Sequence, residues 1–267
     1  MAGTSEKARV GLFVTCLVDL FRPVVAFAAI KLLEDAGFGV DVPKSQTCCG
    51  QPAYNSGDVK NARALARQVI DVFADYDHVV VPSASCAAML SCHYPALMAE
   101  DSAYGEPARQ LAAKTRELTA FLHEHGLATL SAGGAPALDG PVAYMDSCSA
   151  LRELGVCDQP RELLRRLSDL RPCDVEDAQT CCGFGGLFCV KYPEISAEMA
   201  TRKTAALMAS GARLVVGVEL GCLMHVAGRL HRQGHGPEVR HVAEVLAGMS
   251  ERPAIGAAGP RPTRSRP

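Results

Sequence analysis

The sequence predicts an α/β protein of two pseudo-repeated βαβ-type lobes with mostly parallel sheets. Three observations predict it. A cysteine pattern occurs twice: Cys16, Cys48-Cys49-Gly50 and Cys86 recur as Cys148, Cys181-Cys182-Gly183 and Cys222, at offsets of 132, 133 and 136 residues. Each lone cysteine closely follows a short apolar, β-rich run. Between these runs lie stretches of helical period, and that alternation marks βαβ units.

In chain order, residues 9–15 read as a strand ending at Cys16. Residues 24–36 read as a helix stopped by Gly37, and residues 58–76 as a second helix. Residues 78–83 form the strand that leads to Cys86. Residues 106–126 read as one connecting helix, with Pro107 in its first turn and Leu111, Leu118, Phe121 and Leu122 as its apolar stripe. Residues 128–140 are a Gly/Ala/Pro linker. Residues 141–147 lead to Cys148, residues 193–210 form a helix opened by Pro193 and stopped by Gly211, and residues 213–218 lead to Cys222. The predicted organisation is a first lobe at 8–100, a connector at 101–139, a second lobe at 140–248 and a disordered tail at 249–267, rich in Pro, Gly, Ala and Arg.

Composition narrows the function. A chain of 267 residues, 48% hydrophobic and 21% charged, can bury a core. A net charge of −2 argues against nucleic acid as a partner, and 5% aromatics without Trp argue against base-stacking platforms. Lys7 and Arg9 precede the apolar stretch 10–18, but Asp19-Leu20-Phe21-Arg22-Pro23 follows where a cleavage site needs small residues, so a core strand is expected there. No apolar run reaches the roughly 18 residues of a membrane span.

The 12 cysteines do not fit a disulfide scaffold, because the chain is large enough for a core of its own and adjacent cysteines rarely bridge. A reducing cytoplasmic setting and a metal or redox role are expected instead. Ligands of parallel sheets bind at strand carboxyl ends. Cys16, Cys86, Cys148 and Cys222 therefore share that edge, beside helix N-termini that favour thiolate. Gly50 and Gly183 let each cysteine pair curl toward one centre. The expected product is one four-thiolate site per lobe: Cys16, Cys48, Cys49 and Cys86 in the first, and Cys148, Cys181, Cys182 and Cys222 in the second. Adjacent cysteines crowd on one zinc ion, whereas an iron–sulfur cluster spreads its ligands over several irons. Iron–sulfur is the preferred reading, with zinc and metal-free thiol chemistry as alternatives. Cys92, Cys157, Cys173 and Cys189 have no counterparts and read as ordinary buried or half-buried cysteines.

Other signals are weaker. The segment Gly183-Phe184-Gly185-Gly186 lacks phosphate-loop spacing and reads as a tight turn at the cysteine pair. Asp146 reads as a strand-end turn contact rather than a proton relay. His231 and His235 read as a solvated helix end, and His123 and His125 have no evident partner in sequence.

The segments 13–19, 46–57, 82–89, 181–186, 193–196 and 221–225, with their Thr-Cys-Cys-Gly, Cys-Cys-Gly-Phe-Gly-Gly and Gly-Cys-Leu-Met-His motifs, resemble the lactate utilization protein A family. The match runs over about residues 8–248. The wider class is the cysteine-rich CCG domain, shared with the CCG-bearing subunit of heterodisulfide reductase and with the glycolate oxidase iron–sulfur subunit. The resemblance implies an iron–sulfur subunit of a cytoplasmic complex oxidising L-lactate to pyruvate, rather than a complete enzyme alone. It implies as partners a ferredoxin-like iron–sulfur subunit and a third subunit. In the wider class a motif often ends in Cys-x2-Cys, giving five cysteines per site. Here Met89 and His225 stand three residues after Cys86 and Cys222. Four thiolates fit a conventional 4Fe–4S cluster, or an open site with one labile iron, with His225 a candidate extra ligand and Met89 a packing residue.

Overall fold

The computed structural model describes residues 8–126, 140–168 and 170–257. Four strands form the first sheet: β1 (Arg9–Leu12), β2 (Gly39–Asp41), β3 (His78–Val81) and β4 (Thr115–Glu117). Four form the second: β5 (Val142–Tyr144), β6 (Pro172–Cys173), β7 (Leu214–Gly217) and β8 (Glu238–His241). The orders are β2-β1-β3-β4 and β6-β5-β7-β8, and every pairing is parallel. The molecule is thus α/β, two copies of one lobe. The central strands β1, β3, β5 and β7 are apolar and buried because helices cover both faces, as parallel sheets require.

The helices form where the sequence supplies period and caps. Helix Val59–Val72 is capped by Asp58, whose side chain accepts from the Asn61 N–H, and it buries Ala62, Ala66, Val69 and Ile70. Helix Val24–Asp35 buries Val25, Ala29 and Leu33 on the opposite face of the first sheet. That face is shared with the second lobe. Val25, Leu33, Leu118 and Phe121 join Leu163, Leu164, Val242 and Leu246 in one central core. Helix Val24–Asp35 packs on helix Val242–Leu246, and helix Leu118–His125 packs on helix Asp158–Ser168, so the lobes exchange equivalent contacts across a pseudo-twofold. Each lobe keeps an outer core of its own, around Phe13, Phe73 and Tyr94 in one and Leu207, Leu223 and Val226 in the other.

The connector differs from the sequence reading. Residues 106–126 are not one helix: Thr115–Glu117 breaks them into helices Gly105–Lys114 and Leu118–His125 and adds β4 to the first sheet beside β3. A three-residue strand with a central arginine has too little apolar pattern to be read from sequence. Helix Leu118–His125 is also not unpartnered, because His123 pairs with Glu162 across the lobes at 2.9 Å. The linker expected at 128–140 lies outside the described residues except for Gly140. The tail expected to be disordered from 249 is ordered through residue 257. Ile255 donates to the Val239 carbonyl at 2.9 Å, and Arg240 donates to the Arg252 carbonyl at 2.8 Å. The rest of the tail lies outside the described residues. Among the described residues no helix is long and apolar enough to cross a membrane.

Candidate functional site

The three inner connections of each sheet bring the cysteines to one edge. Cys16 opens the helix that follows β1, the Cys48-Cys49 pair follows β2, and Cys86 lies in the helix that follows β3. The second lobe repeats this with Cys148, Cys181-Cys182 and Cys222 after β5, β6 and β7. Because β1 lies between β2 and β3, connections leave it in opposite directions, which is the switch point where parallel sheets bind ligands. Small hydroxyls fix the helix starts in both lobes. Val18 N–H donates to Thr15 Oγ1 at 3.4 Å, and Ala150 N–H donates to Ser147 Oγ at 3.2 Å.

The Cys-Cys-Gly turns have the left-handed glycine that the sequence called for: φ is +82° at Gly50 and +85° at Gly183. A Cβ on Gly183 would also lie 2.7 Å from the Ser196 carbonyl oxygen. Ser196 Oγ donates to the Gly183 carbonyl at 2.8 Å and lies 3.1 Å from His225 Nε2. The structure therefore places His225 behind the turn, bracing it through Ser196. Met89, at the corresponding place in the first lobe, is fully buried in apolar packing.

The sulfurs of each lobe meet in a string. Cys16 hydrogen-bonds Cys48, Cys48 contacts Cys49, and Cys49 Sγ lies 3.3 Å from Cys86 Sγ. The second lobe runs Cys148, Cys181, Cys182, Cys222 in the same order. Hydrogen bonds from Cys16 and Cys49 and from the Gly50 N–H converge on Cys48 and push its pKa down to about 2. Cys181 is pushed down to about 2 by Cys148, Cys182 and the Gly183 N–H. Cys16, Cys49, Cys148 and Cys182 are raised, chiefly because their thiols donate to a neighbouring sulfur. In each lobe these bonds favour negative charge on the first cysteine of the pair.

The two quartets are not remote from each other. Cys16, Cys48, Cys49 and Cys86 line one cavity of about 510 Å³ together with Cys148 and Cys222. Phe184 forms part of its wall, and Gly221 makes room for that ring: a Cβ there would lie 2.3 Å from Phe184 Cε1. At its rim His93 Nε2 meets Glu153 Oε2 across the lobes at 2.6 Å. Sequence reasoning missed this cavity, because it depends on how the lobes dock.

It also missed Glu219. This carboxylate is nearly buried, and its Oε2 accepts from Ser83 Oγ and from the Ser85 N–H, both at 2.9 Å. Glu219 opens the Cys222 helix but makes no side-chain cap there; it caps the Cys86 helix of the other lobe. The one signal in sequence was positional, since Ser83 and Glu219 each stand three residues before the aligned cysteine.

The remaining candidates are placed as follows. Asp146 is held by Arg161 at 2.9 and 2.7 Å, a strand-end contact. Gly183-Phe184-Gly185-Gly186 is a turn with three left-handed glycines. Cys157, Cys173 and Cys189 are half-buried, but Cys92 is exposed, with its sulfur 3.8 Å from the Glu153 carbonyl. Among the described residues, no group of three or more His, Cys, Asp or Glu closes on a point able to hold a single metal ion.

Fold and site together define a two-lobed cysteine-rich protein. The CCG cysteine-rich domain model matches residues 10–91 and 142–227, one match per lobe. The chain is 45% identical to lactate utilization protein A of Geobacillus kaustophilus over 89% of its length and 98% of that protein's. It is 41% identical to lactate utilization protein A of Bacillus subtilis, with the same coverage. The chain belongs to the lactate utilization protein A family of CCG-domain proteins.

Proposed function

We propose that this chain serves in lactate utilization as an iron–sulfur redox subunit of a cytoplasmic complex that oxidises L-lactate to pyruvate. The observation that carries the reading is the pair of sulfur quartets strung along the carboxyl edges of two sister sheets, with the first quartet and Cys148 and Cys222 of the second lining one cavity. Cys16, Cys48, Cys49 and Cys86 would hold one 4Fe–4S cluster, and Cys148, Cys181, Cys182 and Cys222 another. The donor set fits: sulfurs strung over three strand ends suit a polynuclear centre better than a zinc ion, whose four sulfurs must converge at about 2.3 Å on one atom. Such a cluster, when bound, supplies one-electron transfer.

The protein's own groups do the rest. The Gly183 and Phe184 N–H groups point at Cys181 and Cys182 sulfurs, both at 3.4 Å, and favour negative charge there. Buried Tyr94, donating to the Cys49 carbonyl at 2.8 Å, pins the first turn and keeps water from its back. The sequence carries no flavin or nicotinamide fingerprint, and the proposed site of hydroxy-acid oxidation is a partner or a subunit junction. A ferredoxin-like iron–sulfur subunit and a third subunit are the proposed partners.

Anaerobic purification, with iron, sulfide and zinc analysis and EPR after reduction, tests this reading. A brown protein rich in iron and acid-labile sulfide is expected, as is loss of growth on L-lactate when the gene is deleted. A colourless protein with stoichiometric zinc would establish a zinc-stabilised assembly module instead. Turnover that survives iron removal would point to thiol chemistry.

A further inference from the structure

The helices Val59–Val72 and Pro193–Ala209 lie against the two Cys-Cys-Gly turns from below: a Cβ on Gly50 would meet Leu65, and one on Gly183 would meet Ser196 and Met199. Their buried positions align one for one at an offset of 134 residues. Ala62, Ala66, Val69, Ile70 and Phe73 correspond to Ser196, Ala200, Lys203, Thr204 and Leu207. Repeated lobes with repeated ligands should repeat their supports. They do not at Val69, where the second lobe carries a lysine.

Lys203 is 1% exposed, and its ammonium donates to the Ala178 carbonyl. Burial lowers its pKa, against the opposing pull of Asp146 and of the Cys182, Cys222 and Cys181 thiols. A lysine is almost never fully buried without a charge partner. Asp146, the strongest of these pulls, is itself held by Arg161 through two hydrogen bonds, and the thiols of Cys182, Cys222 and Cys181 supply the rest. Arg152 adds positive charge near Cys181, but it is exposed and screened. The first quartet has Val69 in place of Lys203, whereas the Glu219 carboxylate, which opens the Cys222 helix and caps the Cys86 helix, lies between the two quartets.

We propose that Lys203 makes the two quartets electrostatically inequivalent, so that the second-lobe cluster has the more positive reduction potential of the two. This rests on the iron–sulfur reading above. Cluster potential follows local charge, hydrogen bonding to sulfur and burial. A buried cation in a low-dielectric surround favours the reduced, more negative state of its neighbour. Lys203 touches neither substrate nor iron in this account; it sets the potential of the site it underlies.

The test is an EPR-monitored redox titration of the full chain under anaerobic conditions. Cys49→Ser leaves the second quartet intact and Cys182→Ser leaves the first, so each variant reports one site. The second-quartet site should titrate at the more positive potential. Lys203→Met should lower that potential and leave the other unmoved, and Lys203→Arg should restore it. Coincident potentials, a reversed order, or a Lys203→Met variant that moves both sites or neither would overturn the inference. If Lys203→Met does not fold, the two cysteine variants still decide the order. A wild-type chain without iron overturns the function proposed above, whereas iron in both quartets at equal potential overturns only this inference.

Discussion

Glu219 Oε2 lies 2.9 Å from both Ser83 Oγ and the Ser85 N–H, so a second-lobe residue caps the first-lobe helix that carries Cys86. Ser83 Oγ in turn accepts from the Cys86 N–H at 3.4 Å. Orientation of one quartet therefore depends on the other lobe. Glu219→Ala leaves the buried Ser83 hydroxyl and the half-buried Ser85 N–H without their acceptor and should cost about 1–3 kcal/mol, read by urea denaturation. Glu219→Gln, which keeps an acceptor oxygen, should recover most of the loss. Equal cost for both variants would show that the cap is not what matters.

Glu117 and His241 hold one structural position in the two lobes, each ending the fourth strand and capping the next helix. Both are buried, with opposite consequences. Burial pushes Glu117 up to about 7 from its ordinary 4.5, so it folds protonated, and its stability contribution is lost as pH rises from about 4.5 to 7. Burial pushes His241 down to about 4 from 6.5, so it folds neutral, and its contribution is lost as pH falls from about 6.5 to 4. Each swing is about 3 kcal/mol, and in the native protein they largely cancel between pH 4.5 and 6.5. Glu117→Gln should gain stability relative to the native chain as pH rises through this window, and His241→Asn should lose it. Denaturation midpoints at four or five pH values check both slopes; parallel profiles would contradict the argument.

Arg22 and Glu244 join the lobes through two hydrogen bonds, at 3.1 and 2.6 Å, and the Glu244 side chain is fully buried. Arg22→Met strands that carboxylate and should cost about 3–5 kcal/mol. The exposed pair Lys31–Asp35 offers the contrast: Lys31→Met should cost under about 0.5 kcal/mol. Thermal unfolding of the two variants separates them.

The repeat, the central strands and the cysteine edge were legible because each is local: an apolar run, a helical period, a fixed spacing. β4 and β8 were not. Thr115-Arg116-Glu117 and Glu238-Val239-Arg240-His241 are short edge strands without an apolar run, and only pairing with β3 and β7 makes them strands. The eight cysteines could be grouped by lobe from spacing. The common cavity, the Glu219 cap and buried Lys203 could not, because each depends on how distant elements dock. Lys203 in particular sits in a helix pattern where a lysine normally signals the solvent face.

Iron and acid-labile sulfide per chain, measured anaerobically on the native protein and on Cys49→Ser and Cys182→Ser, decide whether each quartet holds its own iron–sulfur cluster, as proposed. Each substitution should remove about half of the iron and sulfide and leave the other site's EPR signal intact. A native protein without iron, or loss from both lobes after one substitution, would overturn the proposal.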